Sequence, residues 1–418
     1  MKFLTAGQRV GAWFRRFWLF CPMLLSLVVP LFAGALVVSW NPNTEPDLAG
    51  YRVHYGTQPG TYTKTKDVGN VTSVTIDSLQ EGSTYYFAVT AYDQSNNESD
   101  YSQEVSASVG GLQIDIVADD TGVELTWSAV SEADQYDIYY GEHPGTISET
   151  PQASVTATTN WQDPAPEARP MQGRYYLVKA VAGGQVVHTF DKVGVFNLSV
   201  TKGKNLCSIP LIPKNSHITH VLGAQLDGGL SSPQSDQVFV WDGSRYQVAW
   251  LVEGSGSALE GKWVTPSGAS ESNLSIGLGK AFWVMRKSDV EQNVKICGFV
   301  NQESEYPINL AQGTNFVGVP FPYELTLDES ELAADGVVKG GSFAGASDRV
   351  MHWVRNQHEY EIAWLVGGTG TPYDGQWREE SGVSESQIRL QPGYGYILWR
   401  KGERPSDLWT IPNLFSGI

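Results

Sequence analysis

The sequence predicts a mainly β chain: two β-sandwiches followed by two tandem copies of a β-rich module. Three observations carry this. Short runs of alternating apolar and polar residues recur about every 8–12 residues between Gly-, Pro- and Asn-rich turns. The composition (44 Gly, 14 Trp, 19 Tyr, 17% charged) suits short strands and tight turns. And one passage occurs twice, as AWLVEGSG at Ala249–Gly256 and AWLVGGTG at Ala363–Gly370. At 418 residues the chain has room for about three or four domains.

The chain opens on Arg9, Arg15 and Arg16, an apolar run from Phe17 to Phe32, and Ala33-Gly34-Ala35. A basic stretch, an apolar stretch and a small-x-small site are the parts of a secretory signal peptide, which predicts residues 1–35 as a leader cleaved after Ala35. Pro22 and Pro30 interrupt the run and disfavour a permanent membrane helix. The expected location is therefore secreted, cell-surface or periplasmic, with no membrane association after cleavage. Residues 1–35 hold four cations and no acid. The remainder carries 24 Lys+Arg against 45 Asp+Glu, a net charge of −21, which argues against nucleic acid or an anionic membrane as partner.

Residues 36–109 form the first predicted domain. Leu36–Trp40, Tyr51–Tyr55, Ser73–Ile76 and Tyr86–Tyr92 alternate, and turn residues separate them. Trp40, the run AGYRVHYG (Ala49–Gly56), Leu79…Gly82…Tyr85 and FAVTAYD (Phe87–Asp93) resemble a fibronectin type III domain of bacterial exported proteins. That resemblance implies an immunoglobulin-like sandwich with Trp40 in the core and Tyr85 as the corner tyrosine. Cleavage after Ala35 would leave almost nothing for the first edge strand, so that strand is expected to be missing or its edge covered by the next domain. The chain has no Arg-Gly-Asp adhesive loop.

Residues 110–200 repeat the pattern in diverged form: Val123–Trp127, then Tyr136-Asp-Ile-Tyr-Tyr140-Gly141, then Arg174–Ala180. They resemble a second fibronectin type III domain, whose implied corner residue is Tyr175 in the degraded stretch Met171–Tyr175.

The last half is a tandem duplication, read as copy one at 201–302 and copy two at 303–418. Trp250 pairs with Trp364, Tyr246 with Tyr360 and Gly279 with Gly393 at an offset of 114, which shortens to 112 at Trp241 and Trp353, then to 110 at Asn205 and Asn315. Drift by two residues at a time indicates loop insertions between fixed strands. Each copy opens with Gly-x-Asn-φ-x-x-φ-Pro, where φ is apolar (Gly203–Pro210, Gly313–Pro320), which resembles modules that follow fibronectin domains in exported bacterial proteins of unassigned role. The repeat alone suggests packing about a pseudo-twofold axis. Cys207 aligns with Val317 and Cys297 with Ile411, so both cysteines are expected in a core and close enough to bridge in an oxidising compartment. In the chain-entropy model that disulfide stabilises by roughly 4–5 kcal/mol.

No catalytic constellation, metal site or cofactor is predicted. His217 and His220 lack accompanying ligands, Glu271 and Glu385 occupy equivalent loops rather than one site, and the Asp and Asn residues of 41–47 and 93–100 read as turns. Trp263 and Trp377, which follow turn glycines, and Trp250 and Trp364 are the candidate binding residues, as stacking platforms for sugars. The reading is a non-enzymatic secreted or cell-envelope binding or structural protein: fibronectin-like spacers presenting a duplicated recognition half to an envelope or extracellular protein. The alternatives are a carbohydrate-binding accessory protein using the turn tryptophans, and an enzyme with a site in the groove between the copies. The enzyme would need a polar pocket with at least two convergent carboxylates or histidines.

Overall fold

The computed structural model describes residues 26–28, 36–40, 43–108 (apart from 44, 46, 59, 77, 78, 80–82 and 103), 113–163, 170–402 and 406–415. The chain divides into two compact units, Met1–Gln113 and Ile114–Ile418, taken separately below.

Unit one is a sandwich of two antiparallel sheets. One has the order β1 (Ser26–Val28), β2 (Leu36–Ser39), β5 (Ser73–Ile76). The other has the order β4 (Lys64–Gly69), β3 (Leu48–Gly56), β6 (Thr84–Asp93), β7 (Val105–Ser108). Alternation puts Tyr51 and Val53 of β3 and Phe87 and Val89 of β6 into a core with Leu36, Val38, Ile76 and Tyr85. Trp40 lies in that core, edge-on to Tyr51 at 5.4 Å between ring centroids. The edge of β2 is paired rather than missing: Ser26 to Val28 run antiparallel to Ser39 to Val37. Those three residues belong to the stretch read as a leader, and 1–25 and 29–35 lie outside the described residues.

Unit two begins with a second sandwich. Strands β12 (Asn160–Asp163), β9 (Gly122–Trp127) and β8 (Ile114–Asp119) form one sheet. The facing sheet has the order β11 (Ala153–Val155), β10 (Gln135–Gly141), β13 (Gly173–Ala182), β15 (Val193–Val200), β21 (Gln292–Phe299), with β14 (Gln185–Thr189) also on β13. The boundary drawn at residue 200 thus falls inside a continuous sheet. All eight residues of β15 are buried. Its Val193 and Val195 face the sandwich core, while Phe196, Leu198 and Val200 face the core of copy one. Tyr175 is not a corner: it packs in the copy-one core, and its buried hydroxyl has no hydrogen-bond partner among the described residues.

Each copy is built on a five-stranded antiparallel sheet of the same topology. In copy one the order is β16 (Gly203–Ser208), β20 (Ala281–Arg286), β17 (Gln237–Trp241), β18 (Tyr246–Leu251), β19 (Trp263–Val264). In copy two it is β23 (Gly313–Gly318), β29 (Gly395–Arg400), β25 (Arg349–Val354), β26 (Glu359–Leu365), β27 (Trp377–Glu379), with a small pair β24 (Leu325–Thr326) and β28 (Arg389–Leu390). Strands β15 and β21 correspond to the pair β22 (Glu305–Asn309) and β30 (Leu408–Pro412), so each copy starts one strand earlier than its Gly-x-Asn motif.

The repeated motifs are turn chemistry. Gly203 and Gly313 adopt φ of 90° and 88°, which an L side chain resists. The following asparagine ties the turn to the sheet: Asn205 Nδ2 donates to Thr201 O at 2.7 Å and Val284 O at 3.3 Å, and Asn315 Nδ2 to Ala311 O at 2.9 Å and Leu398 O at 3.3 Å. In the AWLV loops a carboxylate fills a nest of backbone N–H groups. Glu260 accepts from the amides of Gly254, Ser255 and Gly256, and Asp374 from those of Thr369 and Gly370. Asp236, buried on β17's approach, pairs with buried Arg286 at 2.7 Å and takes the Lys287 and Asp227 amides; Asp348 takes those of Lys401 and Lys339.

The copies pack about a pseudo-twofold axis. Ser208 N donates to Gly393 O at 3.1 Å, and the equivalent Gly318 N donates to Gly279 O at 3.1 Å. The bridges Cys207–Tyr394 and Lys280–Val317 are likewise reciprocal. At the axis equivalents meet each other. A Cβ on Gly318 would lie 2.1 Å from Ser208 Cβ, and one on Gly395 2.5 Å from Ala281 Cβ, so glycine in copy two is what lets the sheets approach. Around the axis Trp283 packs on Trp353 at 5.9 Å and Trp241 on Phe316 at 6.2 Å.

The expected Cys207–Cys297 disulfide is not formed; both thiols are free. Cys207 lies in the copy-one core, whereas Cys297 packs on the second-sandwich core. The reason is register. Leu198 pairs with Val294 and Ile308 with Trp409, which makes Ile411 the counterpart of Ile296. A slip of one residue along a strand moves a side chain to the opposite face.

Candidate functional site

The four candidate tryptophans are not a surface. Trp263 is 0% exposed, Trp377 4%, and Trp250 and Trp364 5% each. Trp263 Nε1 donates to Gly223 O at 2.7 Å, and Trp364 Nε1 to Glu379 O at 2.7 Å. Gly268 and Gly382, at φ of 71° and 75°, pass under the Trp250 and Trp364 rings, where a Cβ would come within 2.9 and 3.1 Å. They close the turns of each module, and stacking on a sugar is ruled out for them as they stand. His217 caps the short helix Ile218–Val221, accepting from Thr219 N at 3.3 Å. Glu271 and Glu385 sit in separate turn bridges, with Val264 and with Arg378.

What the fold does assemble is a cleft of about 710 Å³ in unit two, where the β25–β26 hairpin of copy two meets the end of β15 and the start of β21. Four residues separate Trp241 from Tyr246 in copy one, and six separate Trp353 from Tyr360 in copy two. In the shorter hairpin the Asp242 carboxylate accepts from the Ser244 and Arg245 amides, which holds it far below the ordinary carboxylate range. In the longer one the chain turns through His358 at φ 56° and projects Arg355, Asn356 and His358 into the cleft.

Arg355 anchors the hairpin. Its Nη1 donates to Ser199 O at 2.6 Å, and its guanidinium lies 4.8 Å over the Tyr394 ring. Its Nη2 approaches Cys207 Sγ at 3.8 Å; burial raises that thiol's pKa to about 11 against the opposing pull of Arg355. His352 stands edge-on to Tyr394 at 5.4 Å, with Nδ1 3.4 Å from Glu361 Oε2. Burial lowers its pKa, outweighing Glu361, so it is neutral near pH 7. Opposite, Lys202 Nζ pairs with Asp289 at 2.7 Å, and Ser199 Oγ donates to Glu291.

The groove expected of an enzyme therefore does gather two histidines and two carboxylates. Each carboxylate is engaged by Lys202 or Ser199, His352 Nδ1 faces Glu361 while its buried Nε2 has no hydrogen-bond partner among the described residues, His358 is exposed, and the Cys207 thiol is fully buried. Sequence reasoning missed Arg355, His352 and Tyr394. The available signal was the two-residue excess in the second hairpin, which the shift of offset from 112 to 114 locates.

Residues 27–108 match the family model of the fibronectin type III domain, a match that starts inside the stretch read as a leader, at β1. A two fibronectin type-III domain segment from chicken tenascin is similar at 16% identity, covering 40% of this chain and 93% of that one, with a TM-score of 0.19. No curated protein matches.

Proposed function

We propose that this is a non-enzymatic binding or structural protein, exported to the cell envelope or beyond, in which the first sandwich is a spacer and unit two is the recognition element. Fibronectin type III domains generally serve as structural and binding spacers, and residues 27–108 match that family. The observation that carries the reading is the asymmetry of the duplication. The five-stranded sheets of the two copies have the same strand order, and the departure that borders the cleft is the longer hairpin of copy two. The basic and apolar stretch at the N-terminus and the formal net charge of −17 support an exported, soluble-facing chain.

The second sandwich shares β15 with copy one, so it serves as a rigid base for the cleft rather than as a free spacer. The test is capture from envelope and extracellular fractions by the full chain and by a variant whose segment 354–359 is cut to the four-residue length of 242–245. Capture of a partner by the parent and its loss in the shortened variant is expected. Equal capture by both would remove the cleft from the recognition surface, and a cytoplasmic location of the native protein would remove the export.

A further inference from the structure

We propose that the cleft binds a neutral, hydroxyl-rich ligand, a segment of uncharged glycan, held by Asn356 and Asp289 across the mouth between the copy-two hairpin and the start of β21. This deepens the reading of the cleft as the recognition element and rests on it. A volume of about 710 Å³ lies within the usual range of small-ligand sites.

The charges select against ions of either sign. Lys202 and Arg355 balance Asp289 and Glu291 on the lining, so an anion meets two carboxylates and a cation meets two bases. A sugar hydroxyl both donates and accepts, and matches Asn356, which offers both, with Lys202 as donor and Asp289 as acceptor, while Arg355 and Glu291 stay on Ser199. The Lys202–Asp289 pair is solvent-exposed, with side chains 60% and 84% accessible, and such pairs contribute little, so hydroxyls can displace it. Val354 adds apolar wall against which a sugar's C–H face can lie, while one face of the Tyr394 ring is taken by the Arg355 guanidinium.

A peptide is disfavoured at the same place. The strand that reaches the cleft, β15, is closed at Ser199: its N–H donates to Met171 Sδ at 3.3 Å, and its C=O accepts from Arg355 at 2.6 Å. An added strand would find that edge already occupied. The turn tryptophans proposed for sugars in the sequence play no part here; the ligand class survives only by moving to different residues.

The test is titration of the full chain with neutral oligosaccharides of glucose, galactose, mannose and N-acetylglucosamine, alongside uronic-acid oligosaccharides and uncharged peptides. The double variant Asn356→Ala plus Asp289→Ala changes exposed residues only, and an unchanged melting curve checks its fold. Saturable binding of a neutral sugar, weakened about tenfold or more in the double variant and unchanged in Gln247→Ala of copy one, is the expected result. Binding of the acidic sugars or peptides alone, or neutral-sugar binding equal in parent and double variant, overturns it. Absence of any sugar binding also overturns it, while hairpin-dependent capture of a protein partner in the previous experiment would leave the broader reading standing.

Discussion

The two copies share a blueprint and differ where it matters. Both use an asparagine to lock the first turn, a carboxylate to fill the AWLV nest and a buried tryptophan to close the module. They part at the β17–β18 and β25–β26 hairpins. There copy one is sealed by Asp242, while copy two reaches out with Arg355 to the second sandwich. Glycine at 318 and 395 faces Ser208 and Ala281, so the axis itself tolerates only an unequal pair. The two sheets share one strand order, and differences at a few positions make room for both the interface and the cleft.

The largest effect expected from breaking this comparison is at the buried aspartates. Asp236→Ala leaves buried Arg286 with Val290 O and the more distant Asp227, and strips the acceptor from two amides. Urea unfolding of the variant should show a loss of about 3–5 kcal/mol. Asp348→Ala strips the acceptor from the Lys401 and Lys339 amides and should cost less, because the buried Arg400 has its ion pair with Asp407, at 2.8 Å. Equal losses would mean that the amide contacts, not the arginine ion pair, set the cost.

Next is the axis. Gly395→Ala should destabilise by roughly 1–3 kcal/mol through overpacking, and Ala281→Gly in the same chain should recover only part of it, because Leu206 Cγ at 2.8 Å and the Cys207 carbonyl at 2.9 Å still crowd the added methyl. No recovery at all would dissociate the glycine from the contact with Ala281.

The thiols give a qualitative result. Alkylation of denatured, unreduced protein should label both Cys207 and Cys297. A protected pair would restore the disulfide and require β21 to turn its other face inward.

The smallest effect is pH. The pKa of His352 is lowered by burial, so its contribution to stability is complete above the ordinary histidine value and lost as pH falls through the folded value. Melting temperatures measured from pH 7 down to 5 should fall less steeply in His352→Gln than in the parent.

Much of the fold could be read from residues alone, because alternation, turn glycines and the repeat each leave a local trace. Trp40 in the first core, the register drift and the paired copies all follow from such traces. Three features escaped for identifiable reasons. Strand β15 is buried on both faces, so its apolar run does not show that two cores share it. The cysteine alignment was wrong by one residue, enough to turn Cys297 to the other face. A tryptophan after a turn glycine looks exposed until the chain folds back over it, as happens at Trp263. The cleft draws on residues from Pro170 to Tyr394, and no local pattern joins positions that distant except the extra length of one hairpin.

That hairpin is the most direct test. Segment 354–359 shortened to four residues should lower the melting temperature of unit two through loss of the Arg355 contacts, keep a single cooperative transition, and abolish ligand or partner retention. Retention that survives the shortening, in a protein that remains folded, would contradict the claim that copy two's divergence built the binding site.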